Sequence, residues 1–143
     1  LGLGLIHFGD ENFVKAEEYF LKSYESKNPA AMFHLGSIAY DVKKDIPMAL
    51  KYFKESSDLG YVDAMFNLGL LYYDDENIRP DKKKAFAYFK EAADLGDPGA
   101  QFYTGVMFYE ADGTAKDVKK AKYYLNLAAE AGDEEAQEFL SEI

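Results

Sequence analysis

Apolar positions along this chain fall in short blocks, and the blocks recur. Ala16, Ala49, Ala85 and Ala121 are each followed at the third residue by Tyr19, Tyr52, Tyr88 or Tyr124, and then at once by Phe20, Phe53, Phe89 or Leu125. A second alanine lies 15 residues beyond the first, at Ala31, Ala64, Ala100 and Ala136. Ala85, Tyr88, Phe89 and Ala92 share one helical face, as do Ala64, Leu68 and Tyr72, so each block predicts an amphipathic helix. Taking the Ala64-type block as helix A and the Ala85-type block as helix B, the period is 33 residues from Ala16 to Ala49, then 36 to Ala85 and 36 to Ala121. A period in that range belongs to stacked two-helix repeats.

The punctuation fits the same register. Asn12, Asp45, Asp81 and Asp117 each stand four residues before the helix B alanine, where a short oxygen-bearing side chain can cap the free amides of a helix start. Gly60, Gly96 and Gly132 fall where helix B ends, as a left-handed C′ residue requires. Lys27 occupies that slot in the first repeat, and Asn28 is expected to take the left-handed conformation in its stead. Asn28-Pro29 and Asp97-Pro98 read as a cap followed by a first-turn proline. Gly4, Gly36, Gly69 and Gly105 sit inside helix A, at about 1 kcal/mol against Ala, and so predict close approach of a partner helix. From that glycine to the helix B alanine the chain runs 12, 13, 16 and 16 residues in successive repeats, so the connectors vary and the helices do not.

These readings predict an all-α fold, a right-handed α-solenoid of stacked helix-turn-helix repeats. A single repeat domain over 1–143 is expected, with repeats at 1–30, 31–63, 64–99 and 100–135 and a capping helix at 136–143. The first repeat reads as entered partway through its helix A. The last segment reads as a terminal cap, because Glu138 replaces the Phe of earlier repeats and Ser141 replaces the Gly.

The run Ala64-x-x-x-Leu68-Gly69-x-x-Tyr72, with Asp81, Lys84, Ala85, Tyr88, Ala92, Ala93 and Gly96 behind it, resembles the Sel-one-like repeat, a relative of the tetratricopeptide repeat. The fourth repeat matches through Gly105, Gly113, Asp117, Lys120, Ala121, Ala128, Ala129 and Gly132, and the resemblance covers nearly the whole chain. His7 and Ala39 stand where Tyr is usual, Thr104 replaces the Leu, and Ser56-Ser57 replaces Ala-Ala. The resemblance implies an adaptor or scaffold without catalytic activity, in settings from bacterial host interaction to eukaryotic quality control.

Composition narrows the partners. The 143 residues carry 26 acidic and 16 basic side chains, a formal charge of −10, which argues against nucleic acid, whose binding draws on clustered Lys and Arg. Cysteine is absent, which removes disulfides and thiolate chemistry and leaves the compartment open, cytoplasmic or exported. No run approaches the roughly 20 apolar residues that span a bilayer. Neither His7 nor His34 stands in a relay or a metal-binding pair, so no catalytic residue, metal or cofactor is expected.

The expected function is therefore binding of a peptide or helix from a protein partner on the helix A face. Counting the helix A alanine as position one, positions three, seven and ten read Phe33, Ser37, Tyr40; Phe66, Leu70, Tyr73; and Phe102, Val106, Tyr109. His34, Asn67 and Tyr103 at position four would supply hydrogen bonds to a peptide backbone or else face solvent. The competing reading has these rings consumed in packing between neighbouring helices. A structural alternative is a spacer or self-assembly module docking through Leu1, Leu5 and Phe8 at the N-terminal end, and an enzyme is a remote third.

Overall fold

The caps and the alanine register come together in a computed structural model that describes residues 10–143, with side chains from Val14 onward. Among the described residues every regular element is an α-helix: α1 (Asp10–Glu25), α2 (Pro29–Asp41), α3 (Ile46–Asp58), α4 (Val62–Asp74), α5 (Lys82–Asp94), α6 (Pro98–Glu110), α7 (Val118–Glu130) and α8 (Glu134–Glu142). Helices α2, α4, α6 and α8 carry the helix A pattern, and α1, α3, α5 and α7 the helix B pattern. Gly4, His7, Leu1, Leu5 and Phe8 lie outside the described residues.

Capping is realised by side chains at nearly every predicted start. Asp45, Asp81 and Asp117 accept from the amides of Met48, Lys84 and Lys120 at 3.0–3.1 Å. Asn28 and Asp97 do the same for α2 and α6, each ahead of a first-turn proline. Asp133 caps α8. Two expectations change. Helix α1 already includes Asn12, so that residue is not a terminal cap, and α4 begins at Val62, two residues ahead of Ala64.

The helix B ends also correct one reading. Lys27 itself takes the left-handed conformation at φ 58°, as Gly60, Gly96 and Gly132 do at 89°, 101° and 97°. Asn28, at φ −80°, is fully engaged as the cap of α2. The reason is the Schellman pairing: the Lys27 amide donates to Tyr24 O and the Asn28 amide to Ser23 O, repeating the bonds of Gly60 to Ser57 O and Tyr61 to Ser56 O.

The connectors end on one shared bond. The cap residue of helix B donates its own amide to a helix A carbonyl, Asp45 to Ala39, Asp81 to Tyr72 and Asp117 to Phe108, at 2.8–3.0 Å. Each acceptor stands at the ninth position, counting the helix A alanine as one. The pairing holds whatever the number of residues between, so helix B enters at a fixed place.

The chain divides into two compact units, residues 1–64 and 65–143. Helices pack on sequence neighbours within each, α1 on α2 and α2 on α3 in the first, α5 on α6, α6 on α7 and α7 on α8 in the second. In the first unit Phe20, Ala31, Leu35 and Ile38 form a buried cluster, with Ala16, Tyr24 and Tyr52 against it. Ser56, found where the later repeats have Ala92 and Ala128, is buried because its hydroxyl donates to the Pro29 carbonyl at 2.7 Å. In the second unit Leu125, Ala128 and Ala136 are buried beneath Phe102, Val106, Phe139 and Leu140.

The helix A glycines are explained by steric room. A Cβ on Gly36 would stand 2.8 Å from the Phe53 ring, and one on Gly69 2.6 Å from the Phe89 ring. Helix A thus rests its bare backbone on the helix B ring that follows it, and the sequence expectation of close approach is met.

Candidate partner-binding face

The twelve residues expected on the helix A face divide four and eight between the units. Phe33, His34, Ser37 and Tyr40 belong to α2 in the first unit. Phe33 is half-buried and packs on Phe53 and Tyr61 at ring separations of 5.7 and 5.4 Å. Ser37 turns its hydroxyl back to the Phe33 carbonyl at 3.2 Å. Tyr40 is half-buried.

His34 is neither a solvated residue nor an exposed donor. It is 7% accessible, lies on the Phe20 ring at 4.9 Å, and its Nδ1 has no hydrogen-bond partner among the described residues. Burial pushes its pKa below the ordinary histidine value, because charging the ring there forfeits hydration. Its slot on the helix points at the preceding helix B, which the spacing of helix A alone does not reveal.

The second unit holds the other eight, six of which pack in linked contacts around aromatic rings. Phe66 and Tyr73 of α4 meet Tyr103 of α6 at 6.1 and 5.8 Å. Tyr103 in turn lies flat on Phe89 of α5 at 4.7 Å. Phe102 and Tyr109 meet Phe139 of α8 at 6.5 and 5.6 Å, and Val106 packs into the same cluster. All eight, Asn67 and Leu70 included, are half-buried. The rings are therefore shared: part of each surface serves packing between helices and part faces solvent.

Charge is arranged around this set. The Lys82 ammonium lies 3.3 Å from the Tyr73 ring centre and 3.9 Å from Asp112, and Lys116 lies 4.7 Å from the Tyr109 ring centre. Cations over aromatic faces are attracted by the ring quadrupole. Desolvation first, and then the carboxylates of Asp112, Glu110 and Asp74, raise the Tyr73 pKa; desolvation with Glu135 and Asp74 does so for Tyr103. Both phenols keep their protons and remain hydrogen-bond donors at neutral pH. Among the described residues no group of three or more acidic or histidine side chains is placed to hold a metal ion, and no helix is long and apolar enough to cross a membrane.

The Sel1 repeat model matches four successive segments, residues 1–28, 29–61, 62–97 and 98–133. The chain belongs to the Sel1 repeat family. A Sel1 repeat protein from Oxalobacter formigenes superposes with a TM-score of 0.81 at 24% identity, over 88% of this chain and 97% of that one. The c5321 protein, a protective antigen of uropathogenic Escherichia coli with an SLR fold, gives 0.79 at 31% identity, over 85% of this chain and 27% of that one. Helicobacter pylori cysteine-rich protein B gives 0.66 at 24% identity, over 87% and 92%. No curated protein matches the chain. These likenesses establish the α-solenoid of Sel1 repeats. Members of the family are typically non-catalytic scaffolds for protein interaction.

Two features of the site region escaped the sequence reading. One is the stacking of position four on the preceding helix B ring. The other is a cleft where α1 and α3 end, whose lining includes Tyr24 and Lys27. The available signal was departure from the repeat: Tyr24 stands where Ser57, Ala93 and Ala129 stand, and Lys27 where the others have glycine.

Proposed function

We propose that the chain is a non-catalytic adaptor that holds a peptide or helix of a protein partner on the helix A face of its second unit. The observation that carries this reading is the half-exposed aromatic set of Phe66, Tyr73, Phe102, Tyr103 and Tyr109, interleaved with Asn67, Leu70 and Val106. Aromatic rings offer large contact area with little conformational freedom to lose, and tyrosine adds a polar tip. The protonated Tyr73 and Tyr103 hydroxyls would donate to carbonyls of a bound backbone, and Asn67 would both donate and accept. The acidic balance of the chain disfavours nucleic acid as the partner.

Because the rings also pack, truncating them would confuse lost binding with lost fold. The informative variants are Tyr73→Phe, Tyr103→Phe and Leu70→Glu, which keep the ring contacts. Quantitative capture from the source cell lysate with wild-type and variant protein should lose the same partner in all three, by about five-fold or more for Leu70→Glu, the scale of about 1 kcal/mol. Their melting should stay within a few degrees of wild type. Unchanged capture across the three would remove this face from consideration.

A further inference from the structure

One slot in the second unit is closed twice in the same manner. Gln101, at position two of the helix A register, donates Nε2 to the Ala93 carbonyl at 3.3 Å, and Gln137 donates likewise to Ala129 at 3.0 Å. In the first unit the matching pair is Met32 and Tyr24. A thioether cannot donate that bond, and a phenol stands where the others have a methyl group. The Tyr24 hydroxyl reaches across instead to Glu55 of α3, donating at 2.7 Å.

The outcome is a cleft of about 370 Å³ at the ends of α1 and α3, within the range of small ligand sites. Buried Met32 forms its floor, and the Tyr24 ring and Leu59, 49% exposed, stand at its sides. Glu25, Glu55 and Asp58 bring three carboxylates to the lining, against the single ammonium of Lys27. Lys51 approaches Glu55 at 4.0 Å, and among the described residues neither Glu25 nor Asp58 has an ion-pair partner. None of these side chains belongs to the helix A face.

We propose that this cleft takes a basic side chain of a protein partner, an arginine or lysine whose methylene stem lies on Met32, Leu59 and Tyr24 and whose charged head meets Glu25, Asp58 and Glu55. Long cationic side chains bury their stems on apolar surface while the head keeps polar company, and a guanidinium matches carboxylates with charge-assisted bonds. Lys27 opposes such a guest, so its removal has the reverse sign from removal of the acids. The proposal is independent of the aromatic face, and either can fail alone.

The test uses the whole chain labelled with ¹³C-methyl methionine. Met32 reports on the cleft, while buried Met65 and Met107 in the second unit serve as internal references. The probes are acetyl-Leu-Arg-Leu-amide and the same peptide with citrulline, which keeps the shape and removes the charge. The arginine peptide should shift the Met32 signal saturably, and the citrulline peptide should bind about five-fold more weakly. Glu25→Gln and Asp58→Asn should each weaken the arginine peptide by about two- to five-fold, and Lys27→Gly should tighten it by about two-fold. All three positions are exposed, so unchanged amide spectra of the Phe20, Leu35 and Ile38 cluster certify the fold of the first unit. No Met32 shift at millimolar peptide, equal binding of the two peptides, or shifts confined to Met65 and Met107 would each overturn the proposal.

Discussion

Position four of helix A carries His34 in α2 of the first unit and Tyr103 in α6 of the second, and both lie on the phenyl ring of the preceding helix B, whereas α4 carries Asn67 there. The separations are 4.9 Å to Phe20 and 4.7 Å to Phe89. The slot accepts a flat ring, imidazole or phenol alike. The difference lies in where each ring keeps its polar atom. A phenol holds its oxygen beyond the ring edge, so Tyr103 packs while remaining half-exposed. An imidazole holds its nitrogens within the ring, so burying the ring buries Nδ1 with it, and an unmet buried donor or acceptor costs about 1–3 kcal/mol. One unit therefore meets the packing demand without electrostatic penalty, and the other becomes sensitive to acid.

The largest expected effect tests the shared part of the comparison. Phe89 is fully buried and supports Phe66, Tyr73 and Tyr103 as well as the bare backbone at Gly69. Phe89→Ala should lower the unfolding free energy by about 3–5 kcal/mol, measured in urea. Phe20→Ala, which strips one ring from His34, should fall at the lower end of that range. Equal losses would mean that the ring network adds nothing beyond burial of the phenyl itself.

Acid sharpens the part that differs. The folded-state pKa of His34 lies below its unfolded value of about 6.5. Its contribution is thus present above that value and lost as pH falls through the folded pKa, by at most about 1.4 kcal/mol per pH unit for one proton. Hydrogen exchange of α2 amides should accelerate over that interval in the wild type. In His34→Tyr the acceleration should vanish, and its persistence would assign the acid sensitivity to another group.

A smaller effect concerns the bonds between helix B residues. Tyr124 of α7 donates to Asp94 of α5 at 2.6 Å, and Tyr24 of α1 donates to Glu55 of α3 in the first unit from a different register position. Burial and the Asp94 bond raise the Tyr124 pKa; burial opposes the Asp94 charge, yet the bonds from Tyr124 and Lys90 hold its carboxyl below the usual value. For the raised phenol, stability is complete below about pH 10 and lost as pH rises through the folded value. Tyr124→Phe should cost about 1 kcal/mol at neutral pH and flatten the alkaline limb of a melting profile. The smallest effect is at Lys27: relief of left-handed strain of about 1–2 kcal/mol, offset by the entropy of glycine, should leave Lys27→Gly more stable by about 1 kcal/mol or less. Gly96→Lys should move the melting temperature the other way.

Most of the fold was legible because each repeat states its register several times over. Alanine spacing, the caps at Asp45, Asp81 and Asp117, and the helix A glycines all point to one arrangement, so an error in any single mark is corrected by the others. Asn12 failed as a cap because it lies inside α1. Lys27 was misread because residue preference favours Asn for left-handed backbone, while the Schellman bonds and the following cap duty of Asn28 fix which residue must turn. The candidate face was legible as a list of positions and not as surroundings. Helical spacing says which way Tyr103 or His34 points, and only the stacking of neighbours says that a phenyl ring waits there. The cleft was invisible to periodic reasoning because it exists where the period is broken, at Tyr24 and Lys27.

In the three described connectors the amide of the helix B cap closes on the ninth position of the helix A register, counting the alanine as one, whether the chain between is short or long. The chain between Asp74 and Asp81, and that between Glu110 and Asp117, is therefore fixed at both ends by bonds that do not depend on its length. New recognition segments grafted there would inherit a rigid base, so this repeat can acquire new specificities by rewriting its hinges while its helices stay as they are.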